Sequence, residues 1–181
     1  MIHQGTYLSL KQTNLDAVFA KLQSIDSEMG AQKLSDGEMN TLSLTLGYLS
    51  NPSGNAPDQT GVGILVKLCA TLPPAKRFPA LDLLRLFVLY APTSVSNAVP
   101  DGDVVEFLRN AGGLAAPNND KISTTNAMLA YRGLANLFIL PQGRELAWPK
   151  RNVLSEVLQP DVFSCYVGKP ARLAISTLAV K

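Results

Sequence analysis

Side chains that could do chemistry are sparse in this sequence, and their spacing fits no common catalytic site. His3 is the only histidine and stands near the N-terminus, so no Ser-His-Asp or Cys-His arrangement can be assembled in a folded core. The GVG sequence at 61–63 lacks the further glycine and the lysine of nucleotide-binding loops. Cys69 and Cys165 have no His or Cys near them in sequence, so no metal-ligand pattern is present. We therefore expect a protein that is not an enzyme, with no cofactor, no metal and no small-molecule substrate.

The cationic side chains are better candidates for a binding site. Arg85 lies within an almost wholly apolar segment, so its guanidinium must reach a partner or a wet groove. Asp82 is three residues earlier and could instead form a local ion pair with it. Arg132 has a similar place in a later segment. Lys76 and Arg77 precede the Arg85 helix in an expected loop, where they could steer an acidic peptide or be ordinary solvated charges.

Charge is divided unevenly along the chain, although the net charge is only +2. Residues 1–66 contain 3 Lys and Arg against 6 Asp and Glu, whereas residues 67–181 contain 13 against 8. This favours an acidic partner for the second part, with ordinary solvated surface as the alternative. Nucleic acid is disfavoured as a partner because the basic residues are scattered singly.

Apolar residues recur at helical spacing along nearly the whole chain. Asn14 is a good N-cap for a helix whose apolar stripe runs to Ile25, and Ser35 with Glu38 forms a capping box for the next helix. The longest apolar runs are far shorter than the ~20 residues that cross a bilayer, and the N-terminus does not resemble a secretory signal. We expect a helical protein with no membrane association.

Three segments share an apolar pattern and one basic residue. They are LDLLRLFVLY from Leu81, AMLAYRGLANLF from Ala127 and ARLAISTLAVK from Ala171, with starts 46 and 44 residues apart. Armadillo and HEAT repeats have periods of roughly 40 to 47 residues. The pattern predicts an all-α, right-handed armadillo/HEAT-like superhelix over residues 14–181, after a linker or extension at 1–13. A compact irregular bundle is the alternative.

The predicted repeats suggest further candidates for a peptide-binding groove. Asn136 is a mid-helix asparagine with poor helix propensity and no capping role, and armadillo grooves often use asparagine to bind peptide backbone. For Tyr131 and Trp148 we favour core packing over a groove role. The last helix has no stop signal before Lys181, so we expect an uncovered apolar face there and a longer parent protein.

The segment PAKRFPALDLLRLFVL, residues 74–89, resembles the signature helix of the PUL domain of the phospholipase-activating protein family. LKQTNLDAVFAKLQSI at 10–25 is similar to the first helix of that domain, and the segments from Ala127 and Ala171 are similar to later repeats. The resemblance covers nearly all of the chain, which would correspond to about the first two thirds of a whole PUL domain.

The resemblance implies a cytoplasmic and nuclear adaptor whose basic groove binds the acidic C-terminal tail of valosin-containing protein, an AAA ATPase of ubiquitin-dependent turnover. Arg85 would be a groove arginine, and a second arginine of the family's late repeats has no counterpart here. Alternatively, the module could be a targeting appendage of a fungal thioredoxin-like or deubiquitinase-like peptidase, or a scaffold for another acidic protein.

Overall fold

The computed structural model describes residues 10–30, 33–52, 56–159, 165 and 169–179. These residues form α-helices and short 3-10 turns, and within them there is no β-strand. His3, most of the expected 1–13 linker and the tip of the loop at 51–57 lie outside the described residues. The helices, in chain order, are α1 (Leu15–Ser27), α2 (Asp36–Ser50), α3 (Gln59–Thr71), α4 (Pro74–Tyr90), α5 (Pro92–Ala98), α6 (Val104–Ala111), α7 (Lys121–Leu137), α8 (Pro141–Ala147), α9 (Arg151–Val157) and α10 (Lys169–Ala179).

The first two helices begin where their capping residues predict. The Asn14 side chain accepts a hydrogen bond from the Ala17 amide, which satisfies a free donor of the first turn of α1. At the start of α2, Ser35 and Glu38 each bond the other's backbone amide, so the predicted capping box is present.

The three related sequence segments form α4, α7 and α10, which lie side by side. The α4–α7 and α7–α10 interfaces are the largest between helices in the described structure. Asn126 contacts Pro74 near the start of both helices and Asn136 contacts Arg85 near their ends, so α4 and α7 are parallel. Most of the other helices pack on helices that are one or two positions away in the chain, whereas α1 packs on α4. The all-α fold class is confirmed, and the arrangement is that of a helical-repeat superhelix.

Helix α4 starts earlier than the sequence analysis expected. It begins at Pro74, a favoured first-turn position for proline, so Pro79 lies in its second turn. Lys76 and Arg77 are therefore helical residues, and the prediction that they stand in a loop was wrong. The alternating apolar positions of 74–80 are too few to show helical periodicity, which explains the error.

The outer face of α10 is less apolar than predicted. Its buried side chains include Ala174, Ile175 and Leu178, and α7 covers this face. Leu173, with 59% exposure, is the one large apolar residue of α10 that is mostly exposed within its described range. The uncovered apolar face is thus a single side chain. None of the described helices is long and apolar enough to span a membrane.

Candidate functional site

The surface along which the parallel helices α4 and α7 meet has two ends of different character. One wall carries Phe78 and Asp82 of α4, and the other carries Ile122, Thr125 and Arg132 of α7, which recur at helical spacing. We call this surface the α4–α7 groove. Its first end opens into an apolar cavity of about 460 Å³ lined by Phe78, Ile122 and Thr125. Its second end is charged.

Arg85 lies at the charged end but is buried, with 1% of the residue exposed. Its Nε donates to Asp82 Oδ1 at 2.6 Å, and its Nη2 donates to the Gln12 carbonyl at 2.8 Å. Its Nη1 donates to the Leu10 carbonyl. The guanidinium therefore joins α4 to the segment that leads into α1, and the local pair with Asp82 is only one of its contacts.

Asn136 is buried next to Arg85 and binds the same segment. Its Oδ1 accepts a hydrogen bond from the Leu10 amide at 3.0 Å, and its Nδ2 donates to the Leu10 carbonyl at 3.4 Å and the Arg85 carbonyl at 2.9 Å. Both carboxamide atoms are thus satisfied. Asn136 therefore binds the backbone of another segment of its own chain, and its predicted role in binding a partner peptide stays a prediction.

Arg132 is the more accessible cation of the charged end. It is partly exposed and close enough to Arg85 and Asp82 for their charges to interact. Partial burial, followed by repulsion from Arg85, lowers the pKa of Arg132, while Asp82 opposes this shift. An arginine nevertheless stays protonated at neutral pH. Among the described residues, its guanidinium has no hydrogen bond or ion pair. An anionic group bound there would relieve the repulsion between the two arginines.

Lys76 and Arg77 use their charges within the fold. The Lys76 ammonium is 2.8 Å from a Glu28 carboxylate oxygen, which ties α4 to the end of α1. The Arg77 guanidinium donates to the Leu72 carbonyl at 2.9 Å and to the Ala111 carbonyl at 3.0 Å. Arg77 therefore satisfies carbonyls at the ends of α3 and α6, and its predicted part in peptide binding has no direct support.

The two aromatic candidates have different environments. Tyr131 is fully buried, and its hydroxyl donates to the Val157 carbonyl at 2.8 Å, as expected of a core residue. Trp148 is 70% exposed, so the prediction that it packs in the core was wrong. The Arg151 guanidinium lies over its ring, 5.5 Å from the centroid. Pro149 immediately follows Trp148 in a 3-10 turn, and this turn directs the indole outward.

The residues that occupy the charged end of the α4–α7 groove were not predicted from the sequence. Leu10, Gln12 and Thr13 were assigned to a linker, yet the first two bind Arg85 through their carbonyls and Thr13 Oγ1 donates to Asp82 Oδ2 at 2.7 Å. Most of these contacts use backbone atoms that every residue type carries, so no sequence signal could have marked them. Within the described residues, no group of three or more His, Cys, Asp or Glu side chains could hold a metal ion.

Comparison with known protein families identifies one that the chain matches over nearly its whole length. The family model of the PUL domain matches residues 2–180. The chain belongs to the PUL domain family. The match confirms the resemblance that began with the helix at 74–89. No curated protein sequence matches the chain.

Membership in this family implies a general role for the chain. PUL domains are protein-interaction modules, and a protein-binding role is consistent with the lack of a catalytic pattern in the sequence. The α4–α7 groove has an apolar cavity at one end and, at the other, a cation with no hydrogen bond or ion pair among the described residues. The predicted peptide-binding residues are not tested by this match, and their roles stay predictions: Arg85, Arg132, Asn136, Lys76, Arg77 and Asp82.

Proposed function

We propose that this PUL domain is a non-catalytic adaptor that binds the acidic C-terminal tail of valosin-containing protein in ubiquitin-dependent protein turnover, in the cytoplasm and nucleus. The observation that carries the proposal is Arg132. A partly buried guanidinium without a hydrogen bond or ion pair in the described structure, next to a second arginine, is a site for a carboxylate.

The charge distribution supports an acidic partner. The basic excess lies in residues 67–181, which form α4, α7 and α10 and most of their connections. Lys121 at the first end of the groove adds a further exposed cation beside the apolar cavity. A peptide that lies along the groove could therefore place carboxylates near cations at both ends and an apolar side chain in the cavity.

The length of the groove suits a short peptide. Arg132 is ten residues from Ile122 on α7, which corresponds to about 15 Å along a helix at 1.5 Å per residue. An extended peptide of roughly four to five residues spans that distance. A short acidic tail with one apolar residue is thus sufficient to contact both ends.

Titration calorimetry with the tail peptide tests this proposal. Arg132→Ala should weaken binding about tenfold, equivalent to ~1.4 kcal/mol, because a partly desolvated charge pair is lost. Raising the salt concentration should weaken binding of the parent through screening. The matched control is Arg109→Ala, because Arg109 already contacts the carboxylates of Glu106 and Glu156 and lies on α6, outside the groove.

The outcomes separate this proposal from its nearest alternative. Equal affinities of the parent, Arg132→Ala and Arg109→Ala proteins would contradict the groove assignment. A scrambled peptide with the composition of the tail should bind less well than the tail. If it binds equally well, the groove recognises acidic protein in general, and the module is a scaffold for another acidic partner.

A further inference from the structure

The charged end of the α4–α7 groove already holds a stretch of polypeptide, residues 10–13 of the same chain. Both backbone groups of Leu10 bond the Asn136 carboxamide, and the carbonyls of Leu10 and Gln12 accept from Arg85. The Thr13 hydroxyl donates to Asp82. The segment thus binds both terminal nitrogens of the buried Arg85 guanidinium, and the Asp82 carboxylate accepts from its Nε.

Most of the hydrogen bonds that hold this segment go to its backbone, although the Thr13 hydroxyl bonds Asp82 and the Leu10 side chain packs against the core. The side chains of Lys11 and Gln12 are exposed, and the hydrogen bonds from Arg85 and Asn136 go to main-chain atoms of Leu10 and Gln12. Any extended segment with an amide at the Leu10 position could make the same bonds. The hydrogen bonds from Arg85 and Asn136 are therefore not specific for the side chains of the segment that occupies the site.

We infer that Arg85 and Asn136 form a binding site for the backbone of an extended peptide, and that residues 10–13 are its resident occupant and compete with an incoming acidic peptide. The inference rests on the proposed function and adds that residues 10–13 regulate peptide binding at the same site. While residues 10–13 are bound, Arg132 is the arginine at the charged end that is available to the peptide. When residues 10–13 leave, Arg85 and Asn136 become available too.

The chemistry of the bonds makes such an exchange reasonable. Arg85 binds neutral carbonyls of the segment, whereas an acidic peptide offers carboxylates, and hydrogen bonds between two charged groups are stronger. The neighbouring guanidinium of Arg132 adds a second positive charge that the segment leaves without a partner. A peptide that binds Arg85 and Asn136 can do so only in molecules from which residues 10–13 are displaced. Its apparent affinity is the intrinsic affinity multiplied by the fraction of such molecules, so loosening the segment should strengthen binding in proportion.

Proline substitutions in the full chain test the competition. Leu10→Pro removes the amide that donates to Asn136 Oδ1, so the segment should open more often and the tail peptide should bind about tenfold more tightly. The matched control is Lys11→Pro, since the Lys11 amide donates no hydrogen bond in the described structure. The Lys11→Pro substitution also removes a positive charge, so the affinity of this variant for the acidic peptide should equal that of the parent or fall slightly.

Amide exchange measured by NMR gives an independent readout in the unmodified chain. The Leu10 amide should be protected in the free protein and should lose its protection when the tail peptide is added to saturation. Equal affinities of the parent and Leu10→Pro proteins, or a Leu10 amide that stays protected in the complex, would overturn the competition while leaving the proposed function intact. If neither the parent nor the two proline variants bind the tail, the proposed function fails, and the competition fails with it.

Discussion

Arg85 shows how a charged residue can be both buried and stable. Burying a guanidinium costs free energy unless each of its donors finds an acceptor. Here a carboxylate and two backbone carbonyls supply the acceptors, and Asp82 is held in turn by Thr13. From sequence, an arginine in an apolar helix indicates that some partner exists. It does not show whether the partner belongs to the same chain.

We predict that Arg85→Ala lowers the free energy of unfolding by about 2 kcal/mol. Breaking a buried pair typically costs more, about 3 to 5 kcal/mol, but Asp82 keeps 15% of its side chain exposed and can be rehydrated. Arg85→Lys should lose most of the same stability, because an ammonium cannot reproduce the planar arrangement of donors that reaches three acceptors. Urea denaturation measures both changes.

The control for this prediction is Arg109→Ala. The Arg109 side chain is 25% exposed and its two carboxylate partners are 37% and 58% exposed, so the variant should lose no more than about 1 kcal/mol. If Arg85→Ala and Arg109→Ala lower the urea midpoint of unfolding equally, the hydrogen bonds of Arg85 do not stabilise the fold as we describe.

At the scale of single helices, the sequence was informative wherever local chemistry decides the structure. Asn14 and the Ser35–Glu38 box marked helix starts correctly, because a cap acts within one turn. The 46 and 44 residue recurrence identified α4, α7 and α10, because each must bury an apolar face on its neighbour. The start of α4 was not predicted because residues 74–80 show no clear helical periodicity. The exposure of Trp148 was not predicted because it depends on tertiary packing.

Helix α3 contains two glycines, Gly61 and Gly63, whose structural roles could not be told apart from the sequence. The GVG sequence does not match a nucleotide-binding loop, and the sequence assigned no structural role to either glycine. In the structure a Cβ on Gly61 would overlap the side chain of Thr45 on α2, whereas a Cβ on Gly63 would meet nothing within 4 Å. Gly61 is therefore needed for the close approach of α2 and α3, and Gly63 is not.

Alanine at these two positions should have opposite effects on stability. Gly63→Ala should raise the free energy of unfolding by roughly 0.5 to 1 kcal/mol, because alanine loses less backbone entropy in a helix. Gly61→Ala gains the same helix propensity but must push α2 away, and overpacking typically costs about 1 to 3 kcal/mol. Thermal unfolding of the two variants compares them directly. Stabilisation by both would mean that α2 and α3 are not in close contact at Gly61.

In the part of the chain that the structure describes, the largest contacts join helices of adjacent repeats, α4 with α7 and α7 with α10, as in other repeat proteins. The bonds between Leu10 and Asn136 are an exception, since they join residues 126 positions apart. They connect the segment before α1 to the end of α7 and bypass the helices in between. Sequence periodicity describes repeats and their neighbours, so a connection of this kind could not be predicted from it.

This long-range connection predicts that a change on α7 loosens α1. Asn136→Ala removes the bonds to both backbone groups of Leu10, so amides of α1 should exchange faster in native-state hydrogen exchange, while those of α2 and α3 change little. Asn126→Ala is the matched control: the same residue type on the same helix, donating to the Pro74 carbonyl on the adjacent α4. It should leave exchange in α1 unchanged. If both variants speed exchange in α1 equally, α7 acts on α1 through α4, and the bonds from Asn136 to Leu10 carry no coupling of their own.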